Sequence, residues 1–200
     1  MKTQNLKALT EEQQKEYLEL QHILRKARKP KQPRKVPEVR SHEYCLNLIS
    51  KATTPRNKML LELIYYCGLR VSEALNVAVE DINFKEEVIK IMKGKGNKQR
   101  LTPMPKSLMI DMKQWLNLEN ITEGKLFSIK RCQAHNILKR LDPTIHLHTL
   151  RHSYATHVYE HTHDLRKVQE LLGHENMATT SIYAHVSTKE KKETIKGVFG

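Results

Sequence analysis

The spacing of apolar residues changes twice along this chain of 200 residues. Residues 55 to 67 repeat apolar side chains at helical spacing, residues 81 to 103 alternate as strands do, and helical spacing returns afterwards. Two alternating runs and a return strand predict a small antiparallel three-stranded sheet, with Lys95 in the turn at a hairpin tip. Because one short sheet interrupts many helical segments, we expect an α+β fold that is mainly α-helical.

Turn and capping residues indicate where several helices begin and end. Pro55 opens a helix that Gly68 ends, since proline suits a first helical position and glycine the position just past a C-terminus. Arg70 therefore stands just past a helix end, and Ser72 is expected to cap a short helix through Leu75. Further helices are predicted at residues 106–117, 131–141, 149–161, 165–172, 177–185 and 188–196.

The net charge of +13 and the isoelectric point near 9.6 are high for this length. Nucleic acid is the first candidate for a polyanionic partner and an anionic membrane the second, while a basic surface kept for solubility is the alternative. No apolar stretch approaches the ~20 residues that span a bilayer, and no signal-peptide core is present near the first residue. Together with three cysteines that form no CxxC pair, this predicts a reduced, cytoplasmic protein without membrane contact.

The first 39 residues differ in composition from the rest of the chain. A helix is predicted at residues 10–29, and it runs into a segment at 25–40 that is rich in lysine, arginine and proline. That segment is either an extended linker along a phosphate backbone or a solvated flexible tether. We therefore expect a basic N-terminal helix and Pro-rich linker at 1–39, then one compact domain at 40–200 that ends in a tail helix.

Several side chains suit the metal-free opening of a phosphodiester, which requires stabilised negative charge and proton transfer. Arginine forks match the nonbridging phosphate oxygens, and Arg70 and Arg151 are available for that role. His148, one helical turn before Arg151, can accept a proton from a tyrosine, whose free pKa is about 10. Lys95 can reach a leaving 5′ oxygen, and His174 can donate a hydrogen bond to the phosphate.

Tyr183 is the candidate nucleophile, because an aryl phosphodiester keeps its bond energy and a DNA hydroxyl can later displace the phenolate. Neither a nucleotide cofactor nor a metal is then expected. Four segments, GLRVSEAL at 68–75, GKGNKQR at 94–100, HTLRHSYATH at 148–157 and LLGHENMATTSIYAHV at 171–186, resemble the catalytic boxes of the tyrosine recombinases. This family includes phage integrases and bacterial and archaeal Xer proteins, and the resemblance extends over roughly residues 40 to 190.

The resemblance implies the tyrosine recombinase catalytic fold and a site-specific recombinase that cleaves and rejoins DNA through a 3′-phosphotyrosyl bond. By the same resemblance, Arg70 and Arg151 bind the phosphate, and His174 assists them. Lys95 is then the general acid, His148 the base and Tyr183 the nucleophile. Glu73 would support the site structurally.

The resemblance also implies partners. Family members act on double-stranded DNA as homo-tetramers on two sites, with a dimer on one site, which predicts association with the nucleoid. Most carry an N-terminal core-binding domain, whereas about 40 residues precede the catalytic region here. Either the basic helix and linker replace that domain, or an accessory DNA-binding protein supplies its role. The apolar pair Val198-Phe199 is expected to dock on a neighbouring protomer.

Rival functions share part of this pattern. A non-catalytic DNA-binding regulator shares the basic charge but has no use for a nucleophile, and a type IB topoisomerase-like enzyme shares the chemistry. Two histidine pairs, His148 with His152 and His157 with His161, have a spacing that can bind zinc. No acidic third ligand accompanies them, so no metal site is expected. Integration, excision, inversion and resolution stay open as alternatives.

Overall fold

A computed structural model gives the fold, and it describes residues 38–92, 99–173 and 188–199, together with Thr10 and Glu12. The chain divides into two compact units, Met1–Val36 and Pro37–Gly200, and the description below concerns the second. Four sequence predictions lie outside the described residues: the helix at 10–29, most of the basic linker, the turn that holds Lys95 and the helix at 177–185.

The described residues form mainly helices, with one small sheet. In chain order the elements are α1 (His42–Ser50), α2 (Pro55–Tyr66), α3 (Val71–Ala74), a 3-10 turn (Val79–Asp81), β1 (Ile82–Asn83), β2 (Val88–Met92), β3 (Gln99–Pro103), α4 (Lys106–Leu118), α5 (Arg131–Leu141), α6 (Leu147–Thr162), α7 (Leu165–Leu172) and α8 (Thr188–Phe199). The predicted α+β, mainly α-helical fold class is confirmed. Both α5 and α7 have the predicted bounds, whereas α6 begins at Leu147, earlier than predicted.

The three strands form one antiparallel sheet in the order β1-β2-β3, as predicted. In the register of β2 and β3, Ile89 lies opposite Thr102 and Ile91 opposite Arg100. Ile89 and Ile91 are buried, because alternate residues of β2 face the core. Arg100 and Thr102 therefore occupy the same inner face of the sheet.

Helix α2 lies in the centre of the core, where it packs against α1, α4 and α6. Its N-terminus follows the sequence prediction, since Pro55 occupies the first turn and the Thr54 hydroxyl accepts a hydrogen bond from the Asn57 N–H at 3.2 Å. Every residue from Met59 to Tyr65 is buried. A helix that is apolar on almost all sides is typical of a core element surrounded by other helices.

Gly68 ends α2 in the left-handed conformation, with φ at +59°. A Cβ atom there would lie 2.5 Å from the Tyr154 ring of α6, so both the backbone angle and the close packing require glycine. The resulting sharp turn directs the chain from α2 into α3 and places Arg70 at the N-cap of α3.

Ser72 does not cap α3, contrary to the sequence prediction. The cap position belongs to Arg70, and Ser72 lies exposed within the helix. The Glu73 carboxylate instead accepts a hydrogen bond from the Arg70 backbone N–H at 2.8 Å. A glutamate side chain at the third helical position is long enough to reach back to the backbone N–H of the cap residue.

The docking of Val198-Phe199 on a neighbouring protomer stays a prediction, while in this single chain α8 extends to Phe199 and turns that side chain inward. Phe199 is buried and stacks on Tyr154, with ring centroids 5.7 Å apart. Phe199 is thus covered within its own chain, and Val198 packs against the core while partly exposed. Among the described residues, no helix is both long enough and apolar enough to cross a membrane.

Candidate active site

The structure brings Arg70 and Arg151 together, although they come from separate parts of the sequence. Arg70 follows the Gly68 turn, and Arg151 projects from α6. Both guanidinium groups approach the carboxylate of Glu73, at 2.8 Å from Arg70 and 3.6 Å from Arg151. Two forked cations at one place are what a doubly charged phosphate transition state requires.

Arg151 is anchored by backbone carbonyl groups from two elements. One terminal nitrogen donates to the carbonyl oxygen of Gly68, and the other donates to that of Leu172 at 2.9 Å. The side chain is only 4% exposed, whereas that of Arg70 is 42% exposed. Burial, followed by the charge of Arg70, lowers the pKa of Arg151 to about 10, so the group remains charged at neutral pH.

Glu73 is the anion that organises these arginines. Burial raises the pKa of this carboxyl, but the hydrogen bonds and charge of Arg100, together with the bonds from Arg70, outweigh burial and lower the pKa to about 2. The group therefore stays ionised at neutral pH. A carboxylate in this state accepts hydrogen bonds but donates no proton, so its role is to hold the arginines.

Arg100 belongs to this cluster, and the reasoning from sequence assigned it no role. Its two terminal nitrogens contact the two Glu73 carboxylate oxygens at 2.9 and 2.8 Å. The side chain is 8% exposed. The signal that reveals it is positional, since Arg100 is a charged residue on the inner face of β3, opposite the buried Ile91.

His148 lies in the first turn of α6, one helical turn before Arg151, as predicted. It is exposed, and its ring makes an edge contact with His152, with centroids 4.5 Å apart. Burial, followed by the charge of Arg151, lowers the pKa of His152. Among the described residues, no group of three or more His, Cys, Asp or Glu side chains is placed so that it could hold a metal ion.

A model described as the phage integrase family matches residues 38–190. The chain belongs to the phage integrase family. It is 35% identical over 184 residues to a protein of Pyrococcus horikoshii named tyrosine recombinase XerA, and the alignment covers 86% of this chain and 65% of that relative. The chain thus spans just under two thirds of the length of this relative.

Two solved structures are also similar to this chain. The integrase from mycobacterium phage Brujita has a TM-score of 0.71 and 26% identity, over 84% of this chain and 60% of that one. The XerH site-specific recombinase, in a structure described as a pre-cleavage complex with difH substrate, has a TM-score of 0.63 and 27% identity, over 79% of this chain and 53% of that one.

Three of the residues expected in a phage integrase site, Lys95, His174 and Tyr183, lie outside the described residues. Lys95 belongs to the segment that joins β2 and β3, and His174 directly follows Gly173, which ends α7 with φ at +64°. Of the six predicted site residues, the structure therefore describes Arg70, His148 and Arg151, and it adds Glu73, which contacts both arginines, and Arg100, which contacts Glu73.

Proposed function

We propose that this chain is a site-specific DNA recombinase that cleaves and rejoins double-stranded DNA through a 3′-phosphotyrosyl intermediate. The observation that supports it most is the convergence of Arg70 and Arg151 on one ionised carboxylate. Relatives named tyrosine recombinases add to this support, as does the substrate-bound XerH structure. The alternative regulator gains nothing from two arginines arranged for one phosphate.

The two arginines bind the scissile phosphate in this proposal. Arg70 is exposed enough to meet the DNA backbone, whereas Arg151 is held from behind by the Gly68 and Leu172 carbonyl groups. Negative charge on the nonbridging oxygens grows in the transition state, and preorganised guanidinium groups stabilise that charge without reorganising. Their fixed direction is therefore as important as their charge.

The proton transfers are assigned to the other predicted residues. His148 accepts the phenolic proton as the Tyr183 oxygen attacks phosphorus, and the bond from phosphorus to the 5′ oxygen breaks. Lys95 gives a proton to that oxygen, and His174 donates a hydrogen bond to the phosphate. Rejoining is the reverse, with a DNA 5′ hydroxyl displacing the phenolate. The balance needs neither ATP nor a metal ion.

The DNA is contacted over a surface wider than the site in this proposal. The charge of +13 favours binding to a polyanion, and the basic segment at 25–40 would lie along the backbone. Recombination requires two DNA sites, so a homo-tetramer built from two dimers is the proposed assembly. An accessory DNA-binding protein would assist positioning, and the place of action would be the nucleoid in the cytoplasm.

The test is covalent trapping with a Tyr183→Phe control. Wild-type protein is incubated with duplexes that are nicked within a randomised segment, and adducts that survive detergent are recovered and sequenced. We expect adducts that form in EDTA, share a sequence and disappear in Tyr183→Phe while DNA binding persists. Adducts that Tyr183→Phe still forms would exclude this nucleophile, binding without any adduct would favour the regulator, and relaxation of plasmids without sequence preference would favour the topoisomerase.

A further inference from the structure

We infer that Arg100 is a positioning residue of the phosphate-binding site. Its guanidinium group holds the Glu73 carboxylate so that Arg70 and Arg151 keep both their direction and their charge for the phosphate. This inference deepens the proposed function and rests on it for the identity of the anion. Three observations support it: the contacts of Arg100, the charge balance of the cluster and the packing against Gly173.

The contacts leave Arg100 no free terminal nitrogen directed at DNA. Both of them bind Glu73, in the two-pronged arrangement that only arginine forms with a carboxylate. The side chain is also buried to 8% exposure, far less exposed than Arg70. Arg100 therefore acts on the phosphate through Glu73 and not by direct contact.

The charge balance explains what Arg100 contributes. Three arginines surround one carboxylate, so the cluster keeps two uncompensated positive charges, and the two-pronged contact of Arg100 provides the largest share of the compensation of Glu73. Without Arg100, the buried carboxylate would draw its compensation from the other two arginines alone. Arg70, which already lies 2.8 Å from Glu73, would then be held there more strongly and would be a weaker ligand for an incoming phosphate.

The packing links the same residue to the end of α7. A Cβ atom on Gly173 would lie 2.8 Å from the Arg100 Cδ atom and 3.1 Å from its Nε atom. The preceding residue, Leu172, provides the carbonyl group that binds Arg151. Arg100 of β3 thus fills the space between Glu73 of α3 and the end of α7, where the Leu172 carbonyl group binds Arg151. Its side chain connects these three elements.

Substitution of Arg100 should reduce phosphate affinity and cleavage more than DNA binding. In Arg100→Met we expect inorganic phosphate affinity, measured by calorimetry, and the rate of adduct formation at saturating DNA each to fall ~10- to 100-fold. DNA affinity should fall less than ~3-fold, because Arg100 is expected to make no contact with the DNA backbone. Arg100→Lys should recover only part of the loss, since an ammonium group cannot bind both oxygens.

Arg56 provides the matched control. It is exposed in the first turn of α2, about 15 Å along the helix from the end that leads to Gly68. Arg56→Met removes one positive charge, as Arg100→Met does, and Arg56→Lys retains it. Both should leave phosphate affinity and the cleavage rate unchanged. An equal loss in Arg56→Met would attribute the Arg100 effect to net charge and overturn the inference.

Two further readouts separate positioning from a merely structural role. In a Glu73→Gln background, Arg100→Met should reduce phosphate affinity by less than a further ~3-fold, because both substitutions act through the same contact. The pKa of Glu73 should rise in Arg100→Met, since burial still raises it and the contacts of Arg100, which lower it most, are gone. The fall in cleavage rate at low pH, where Glu73 becomes protonated, should therefore begin at a higher pH than in the wild type. Additive losses with an unmoved pH profile would overturn the inference, and Arg100→Lys decides these points if Arg100→Met fails to fold.

The phosphate measurement separates this inference from the proposed function, because it requires no cleavage. If wild-type protein forms no adduct but Arg100→Met weakens phosphate binding and Arg56→Met does not, the recombinase proposal fails and the role of Arg100 stands. If adducts form and Arg100→Met changes neither phosphate affinity nor rate, the role of Arg100 fails and the recombinase proposal stands.

Discussion

Glu62 is a buried carboxyl group that the proposed mechanism does not use. It lies in α2 and pairs with Lys58 at 3.4 Å, while Lys58 also contacts Asp111 at 2.5 Å. Burial raises the pKa of Glu62 to about 7, and Lys58 offsets only part of that increase. The ionised form is therefore disfavoured in the folded protein relative to the unfolded chain.

The pH dependence of Glu62→Gln follows from that shift. The folded carboxyl has a pKa of about 7 and an ordinary value of 4.5, so its unfavourable contribution grows as pH rises from 4.5 to 7 and is fully present above 7. We expect Glu62→Gln to raise the free energy of unfolding at pH 8 by up to ~3 kcal/mol, and by almost nothing near pH 4.

The measurement is urea unfolding at several pH values, with Glu43→Gln as the control because Glu43 is exposed on α1. A Glu62→Gln protein that is less stable than wild type at pH 8 would mean that the Lys58 pair outweighs the cost of burial.

At the level of elements, the turn after α2 determines where the first arginine lies. Gly68 permits the left-handed angle, packs against Tyr154 and offers its carbonyl oxygen to Arg151. One residue thus connects the end of α2 with two positions of α6. The positions of Arg70 and Arg151 are consequently coupled through this turn.

Gly68→Ala should destabilise the protein strongly. Alanine would adopt an unfavourable backbone angle, and its Cβ atom would collide with the Tyr154 ring at 2.5 Å. Together these effects should lower the free energy of unfolding by about 3 kcal/mol or more. Thermal and urea unfolding measure the loss, and phosphate affinity should fall as well because Arg70 moves.

Gly124→Ala is the matched control for backbone angle alone. Gly124 has φ at +74°, yet an added Cβ atom would meet nothing within 4 Å. It should therefore cost only about 1 kcal/mol. Equal losses in the two variants would show that the contact with Tyr154 is unimportant and that backbone strain explains both.

For the molecule as a whole, α8, the last described element of the chain, packs onto the core. Phe199 contacts Tyr154 of α6 and Tyr65 and Tyr66 of α2, with ring centroids 5.4 to 5.7 Å apart. Tyr65 and Tyr154, one from each of these helices, are fully buried. The last helix is therefore part of the fold that supports the site.

Phe199→Ala should reduce the free energy of unfolding by about 3 kcal/mol, because a buried aromatic side chain is lost and a cavity remains. Lys196→Ala, an exposed change on the same helix, should have almost no effect. Unfolding of the protein without DNA measures both. Unchanged stability in Phe199→Ala, with loss of assembly on DNA, would instead favour docking on a neighbouring protomer as the role of this side chain.

DNA affinity should fall steeply with salt, because the basic segment at 25–40 is expected to contact phosphates. For six or more such contacts, affinity decreases about a thousandfold between roughly 50 and 200 mM salt. Replacing Lys29, Lys31, Arg34 and Lys35 by glutamine should reduce the slope of log affinity against log salt by about 3 to 4. A flat salt response in the wild type would refute contact between this segment and the backbone.

The sequence alone predicted the fold class, the three-strand sheet and every described helix except α1, because apolar spacing, Pro55 and Gly68 act locally. It also identified Arg70 and Arg151, through motifs that are contiguous in the chain. Only the tertiary structure decided what neutralises and orients them. The contacts of Arg100 with Glu73, and of Phe199 with Tyr154, join residues far apart in sequence, and local patterns contain no information about which distant side chains meet.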